Sequence, residues 1–368
     1  MKLANSLKND IPASIVVFLV DLPLCLGIAL ASGAPLLSGV ISGIIGGIIV
    51  GVLSHSQTSV SGPAAGLAAV VLSAITQLGS FELFLTAVLL AGIIQLAMGL
   101  AKAGFIANYI PSNVIKGLLA AIGIILILKQ IPHAIGYDKD AEGDFSFLQP
   151  DGENTFSELL QVFNFINPSA VIISVLSIFV LIVWDKTPLK KLKFFPAPLF
   201  VVLLGIALNL FFEQYAPNLS LEPAHLVNLP AFDSKDLSNY FHLPKLNYLS
   251  NYNVWFVALT VAIVASLETL LNIEAIDNID PKKRQTPPNR ELIAQGVGNI
   301  VAGFFGGIPV TSVIVRSSDN IAAENETKLS AILHGVFMLL SVLVLSPFLN
   351  FIPLASLAAI LLMLYRWG

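Results

Sequence analysis

Three ionisable side chains stand inside otherwise apolar runs of this sequence: Asp21 in Val20-Asp21-Leu22-Pro23, Glu268 in Ser266-Leu267-Glu268-Thr269, and Arg316 in Ile314-Val315-Arg316-Ser317. Such a group at bilayer depth is costly unless it is paired, hydrated or protonated, so each is a candidate functional residue. Arg316 has the chemistry of an anion holder, a permanent charge on a planar fork of donors. Glu268 can balance that charge, bind a coupling cation or carry a proton. Asp21 would oppose an anion unless protonated or paired with a cation, so it is either a coupling group or a residue turned toward polar groups within the bundle.

Two broken segments are placed to position these groups. Gln57-Thr58-Ser59-Val60-Ser61-Gly62-Pro63-Ala64-Ala65-Gly66 begins with β-favouring alternation, then offers Ser61 as an N-cap and Pro63 in a first helical turn. Gly306-Gly307-Ile308-Pro309-Val310-Thr311-Ser312 repeats that grammar, with Thr311 or Ser312 capping a helix that starts near Val313. Two half-helices thus start at membrane depth, where non-helical backbone survives only against protein or a water-filled cavity. Paired starts of this kind offer free N–H groups and positive dipole ends, which suit an anion. Side chains lean toward a helix N-terminus, so Arg316, four residues after Ser312, reaches back to the same place.

The rest of the chain supplies the spans that hold those segments. Of 368 residues, 56% are hydrophobic and 11% charged, against about 25% charged in soluble domains. A water-soluble globule and a disordered chain are both excluded, and the reading is an all-α polytopic membrane protein. Stretches near the required length of about 20 residues lie at 11–32, 36–53, 81–101, 110–131, 168–184, 196–212, 252–273, 289–306 and 328–349, with a shorter one at 351–365. Lys2, Lys8, Lys102, Lys116, Lys186, Lys190, Lys191, Lys193, Lys282, Lys283, Arg284, Arg290 and Lys328 fall on one side, and only Lys129, Lys139, Lys235 and Lys245 on the other. That asymmetry predicts a cytoplasmic N-terminus, residues 1–10, in a multi-pass protein of the cell's inner (cytoplasmic) membrane. The 136–165 stretch reads as a solvated acidic loop on the outer side.

A net charge of −4 excludes nucleic acid as a partner. The single cysteine, Cys25, forms no intrachain disulfide, and His133, His225 and His242 are expected in loops, with His55 at a span end and His334 inside a span. No spacing of these residues matches a metal site or catalytic motif, so no cofactor, metal or catalytic residue is expected.

The motifs taken together resemble those of the SulP family of sulfate permeases and related inorganic-anion transporters. The resemblance is carried by Leu22-Pro23-Leu24-Cys25-Leu26-Gly27-Ile28-Ala29, Ser61-Gly62-Pro63-Ala64, Asn289-Arg290-Glu291-Leu292 with Gly296 and Asn299, and Gly306-Gly307-Ile308-Pro309-Val310-Thr311 leading to Arg316-Ser317. It implies an inverted-repeat fold of the 7+7 type, with short strands before its two half-helices and the anion between their N-termini. It also implies a core domain (11–109 and 251–330) and a gate domain (110–250 and 331–368). On that resemblance the substrate-binding residues are Leu24, Ile28, Gly62, Pro63, Val313, Ile314, Val315 and Arg316, and Glu268 matches the family's acidic position; the half-helix starts add Ser61, Thr311 and Ser312 to the binding residues, and Glu268 and Asp21 are the candidate coupling residues. Asp21 stands where such first spans usually carry an apolar residue. By span count the chain ends after about twelve segments, at Tyr365-Arg366-Trp367-Gly368, before the family's last two gate helices and its STAS domain.

The function implied is secondary active transport of a small oxyanion, bicarbonate or sulfate, by an elevator motion with proton coupling or anion exchange. The expected partners are that anion, a proton or sodium ion for coupling, the lipid bilayer, and a second copy of the chain in a candidate homodimer. Two other readings stay open: a nucleobase permease of the same fold, and a non-transporting membrane scaffold or incomplete fragment.

Overall fold

Proline and glycine decide where this chain stops being helical. In the computed structural model, which describes residues 2–109, 112–138, 162, 165–191, 197–227 and 242–364, the first helix α1 covers Lys2–Ala31 and continues through Pro12 and Pro23. α2 covers Leu36–Leu53 with a π turn at Gly46–Val50. The chain then gives up helix for a strand, β1 (Val60–Pro63), before α3 (Ala65–Leu78) and α4 (Phe81–Leu100). α5 (Ser112–Ile135), α6 (Pro168–Lys186), α7 (Ala197–Tyr215), α8 (Tyr252–Ile279) and α9 (Pro288–Phe305) follow. Gly306, at φ 86°, stops α9 in the left-handed conformation that favours glycine. Strand β2 (Val310–Val313) leads into the short α10 (Ile314–Ala322). α11 (Leu329–Leu340) and α12 (Leu354–Leu364) complete the described chain.

Six helices among the described residues are long and apolar enough to cross a membrane: α1, α2, α4, α6, α7 and α8. α9 is not among them, because it carries Asn289, Arg290, Glu291, Gln295 and Asn299, several of which serve the strands.

The chain forms two compact units, Met1–Leu119 with Phe232–Leu339, and Ala120–Ala231 with Leu340–Gly368. The first unit contains both strands. Its core joins α1, α3, α4 and α8 through Ile28, Leu67, Val71, Phe84, Val88 and Val257, while α4 and α9 pack with backbones close enough that a Cβ at Gly92 or Gly296 would meet the facing backbone. In the second unit α6, α7 and α12 share Ile173, Phe212 and Ala355, and Val227 donates its N–H to the Ile352 carbonyl.

Charges gather at one end of the first unit. The Asp10 carboxylate accepts from the N–H groups of Glu326 and Thr327 at 2.7 and 2.9 Å. Lys328 donates to the carbonyls of Val52 and Ser54, and Arg290 to that of Leu53, so cations cover the C-terminal carbonyls of α2. Lys282 pairs with Glu326. Lys282, Arg284, Arg290 and Lys328, all on the predicted basic side, therefore gather at one end of the first unit, with the segment around Asp10 and the end of α2. His133 departs from the sequence expectation: it lies in the last turn of α5, buried, and not in a loop. Residues 139–161, Lys139, Lys193, Lys235 and the chain end at 365–368 lie outside the described residues.

Candidate functional site

Glycine and proline in Ser61-Gly62-Pro63 and Gly307-Ile308-Pro309 disfavour continuous helix, and the β-branched residues around them favour extension. β1 and β2 pair antiparallel, Val60 with Val313, Ser61 with Ser312, Gly62 with Thr311 and Pro63 with Val310. A two-stranded ladder has two open edges, and inside a bilayer each unpaired backbone group costs several kcal/mol. Side chains close these edges. Asn299 accepts from the Val310 N–H at 2.6 Å and donates to the Val310 carbonyl at 2.9 Å. Asn272 donates to the Ser312 carbonyl at 2.6 Å, Asn320 to that of Thr58 at 2.9 Å, and the Val60 N–H donates to Ser317 Oγ at 2.9 Å.

The strand hydroxyls belong to this framework. Ser61 Oγ accepts from Gln295 at 2.7 Å, Ser312 Oγ lies 2.8 Å from Ser59 Oγ, and Thr311 Oγ1 donates to the Ser312 carbonyl at 3.2 Å. None of them caps a helix, contrary to the sequence expectation for Ser61, Thr311 and Ser312, and Pro63 ends a strand instead of sitting in a helical turn. Extended backbone persists three residues past Ser61 and one or two past Ser312 or Thr311, because ladder bonds replace the cap. The N-cap residues are Ala64 and Val313, and no side chain caps either start. One apolar cluster contains Ala64, Leu67 and Ile28, with Val313 partly buried at its margin. Both half-helix starts therefore border one apolar cluster, to which α1 contributes Ile28.

Asp21, Leu24, Cys25 and Ile28 form one stripe of α1, at helical spacing, and all are buried. Arg316, 1% exposed, is the largest fully buried side chain in the described chain. Its Nε pairs with Asp21 Oδ1, its Nη2 lies 3.5 Å from Cys25 Sγ, and the other Asp21 oxygen is 2.7 Å from His334 Nε2 on α11. Arg316 Nη1 is buried without a hydrogen-bond partner and points at Gly62, where a Cβ would collide with it. Only glycine leaves room for the guanidinium beneath β1.

Glu268 is on α8, next to Thr269, whose hydroxyl accepts weakly from the Ser312 N–H at 3.4 Å, and one turn before Asn272. Its carboxylate sits against Gly66 in the first turn of α3, an exposed glycine whose Cβ would lie 2.9 Å from Glu268 Oε1. Glu268 Oε2 is buried without a partner. Of the residues marked in the sequence, Ile28 and Val313 share an apolar cluster with the helix starts, Arg316 meets Gly62 and Asp21, and Glu268 meets the α3 start. Ile314 and Val315 are buried in the first turn of α10, and Leu24 is buried on α1. Sequence reasoning missed His334 and Cys25 as partners of Asp21. The i, i+4 spacing of Asp21 and Cys25 was the one available signal. Among the described residues no cluster has the makeup of a metal site.

A helical polytopic membrane protein that starts two half-helices from a buried ladder is the class this fold and site define. The chain belongs to the Sulfate permease family, whose model matches residues 7–366. It is 30% identical over 98% of its length to the Bacillus subtilis protein named "Putative sulfate transporter YvdB", covering 64% of that protein. It is 25% identical to "Bicarbonate transporter BicA" of Synechocystis, over 97% of this chain and 60% of the relative. The chain thus spans about three-fifths of the length of these relatives. Its fold matches that of the transmembrane domain of a cyanobacterial BicA, with a TM-score of 0.65 at 23% identity over 99% of this chain and 89% of that one. The SLC26A9 structure gives 0.64 at 16% identity, covering all of this chain and 58% of the other.

Proposed function

We propose that this chain is the transmembrane part of a secondary active transporter for a small inorganic oxyanion, bicarbonate or sulfate. One observation carries the reading: two half-helix starts without side-chain caps border one apolar cluster that includes Ile28 of α1, and a fully buried arginine lies beneath the strand that feeds one of them. Uncapped starts attract negative charge through their N–H groups and dipoles. Relatives named as sulfate and bicarbonate transporters support the substrate class. The residues proposed at the anion are Ile28, Ala64, Gly66 and Val313, with Gly62 and Arg316 behind them.

Glu268 is the proposed coupling group. An ionised carboxylate beside the α3 start competes with an anion for that dipole, and a protonated one does not, so anion and proton load together. The first unit is the proposed core and the second the proposed gate of an elevator-type cycle. The N-terminus is proposed to face the cytoplasm across the cell's inner membrane, following the basic residues that gather at one end of the first unit. Uptake of labelled bicarbonate and sulfate into proteoliposomes, for the parent and Arg316→Ala, tests the reading. Loss of uptake in Arg316→Ala is expected. Equal uptake by both removes the arginine from the mechanism, and absence of uptake of either anion by the parent overturns the transport reading.

A further inference from the structure

The Asp21 cluster contains more hydrogen-bonding capacity than it uses. Arg316 and His334 both approach the Asp21 carboxylate, one oxygen each, and all three side chains have no solvent exposure. Two nitrogens have neither a hydrogen bond nor an ion pair: Arg316 Nη1, aimed at Gly62, and His334 Nδ1. An unpaired buried nitrogen calls for an explanation, since the group loses its water and gains nothing. Nη1 has one in the anion reading. Nδ1 has none there, and with Nε2 turned to a carboxylate, Nδ1 is the ring's open proton acceptor.

Counting charge shows what a proton there does. Arg316 is +1, Asp21 is −1 and neutral His334 adds nothing, so the cluster is neutral and the arginine's field is cancelled at source. A proton on Nδ1 makes His334 cationic, shares Asp21 between two cations and leaves the cluster at +1. The other groups packed on His334 do not supply this change. α1 brings Asp21 to it, and Asp21 in turn pairs with Arg316 of α10; Cys25 and Asp319 are the next titratable side chains along those two helices. The approaching part of α2 offers Gly47 to Gly335 and Gly51 to Ile332, and β1 offers Val60 to Ala331. Lys328, at the head of α11, turns its amine to the Val52 and Ser54 carbonyls.

We infer that His334 is a proton-binding site that acts through Asp21 and Arg316, switching the cluster from neutral to cationic and so raising affinity for an anion at the half-helix starts. The inference rests on the transport reading and adds a second proton acceptor to Glu268. His334 is a positioning and charge-setting residue; it does not touch the anion. One added charge in a low-dielectric interior is worth roughly a tenfold gain in anion affinity.

Sulfate is the probe, because its own charge is constant over the range in which histidine titrates, about pH 5.5 to 8. Binding to the purified protein is measured across that range for the parent, His334→Gln and Glu268→Gln, together with proton uptake per sulfate bound in weak buffer. The parent is expected to bind more tightly in acid. His334→Gln is expected to bind with a flatter profile and to take up fewer protons, while Glu268→Gln keeps an acid-strengthened profile. An unchanged profile and proton count in His334→Gln overturns the inference and leaves the transport reading standing. Should His334→Gln fail to fold, Glu268→Gln decides alone, since a flat profile there assigns all the pH dependence to Glu268 and overturns the inference. A parent that binds neither sulfate nor bicarbonate at any pH overturns the transport reading and this inference with it.

Discussion

Asn299 does for Val310 what a third strand would do, accepting from its N–H at 2.6 Å and donating to its carbonyl at 2.9 Å. One amide side chain closes two backbone groups that hydrocarbon would leave unpaired. Gln95 accepts from the same Asn299 Nδ2 at 2.6 Å and donates to Ser266 Oγ at 3.2 Å, so the clamp is held from α4 and α8. Asn299→Ala is expected to destabilise the protein by about 2–5 kcal/mol, the cost of two orphaned backbone groups. Asn299→Asp keeps the acceptor and loses the donor, so it should fall short of the parent as well. Thermal unfolding in detergent reads both.

Asp21 and Arg316 should behave as one unit. Asp21→Asn leaves a buried guanidinium without its counter-ion and is expected to cost about 3–5 kcal/mol. Combining it with Arg316→Gln removes both charges, and the double variant should be more stable than the sum of the single losses predicts. Additive losses in unfolding measurements would mean that the pair is not coupled.

Gly62→Ala places a methyl group against Arg316 Nη1. Overpacking of this kind costs about 1–3 kcal/mol, and here the displaced group is the guanidinium proposed to stand behind the anion. Sulfate or bicarbonate uptake should fall by more than in Gly79→Ala at the α3 C-terminus, where a Cβ meets open space but φ is 77°. Similar uptake by the two variants would argue that the guanidinium position is not critical.

Glu268→Gln is expected to retain anion exchange and lose accumulation driven by a pH gradient. Accumulation equal to that of the parent, measured with an imposed gradient in proteoliposomes, would take Glu268 out of coupling.

The second unit has its own pH dependence. Asp138 lies between two histidines, its oxygens 2.6 Å from His133 Nδ1 and 2.5 Å from His225 Nδ1. Burial works against the Asp138 anion, and the two histidine contacts overcome it, holding its pKa below the ordinary 3.8. The hydrogen bond to Asp138 raises His225 above its ordinary 6.5, with partial burial opposing. A raised histidine pKa stabilises the folded state fully below the unfolded value, and that contribution fades as pH climbs through the folded one. The lowered Asp138 contributes above its unfolded value and loses its effect as pH falls through the folded one. This tie is therefore strongest between the two unfolded values, 3.8 and 6.5, and weakens as pH climbs through the raised His225 value. His225→Gln should remove the alkaline part of the dependence, seen as a flatter curve of melting temperature against pH.

The breaks at Ser61-Gly62-Pro63 and Gly306-Gly307-Ile308-Pro309 were legible because glycine and proline act locally, and the strand-then-helix order followed from them. The capping residues were misplaced for a non-local reason. Ser61 and Ser312 prefer N-caps as isolated residues, and pairing with each other across the ladder overrides that preference. His133 was expected in a loop because the span read at 110–131 stops short of it, yet α5 runs through Pro132 to Ile135. Asp21 could be read as in need of a cation. Neither Arg316 nor His334 could be assigned to it, because partners that meet through folding leave no spacing in the sequence.

Counting three residues from each N-cap gives Arg316 from Val313 and Leu67 from Ala64. Both half-helices follow a strand and differ in the side chain at that position, a buried guanidinium in one and a buried hydrocarbon in the other. On the transport reading, an ion resting between them keeps its charge contact on one side and must shed its water on the other. Dehydration cost then ranks substrates as much as size does, and it asks less of singly charged bicarbonate than of doubly charged sulfate.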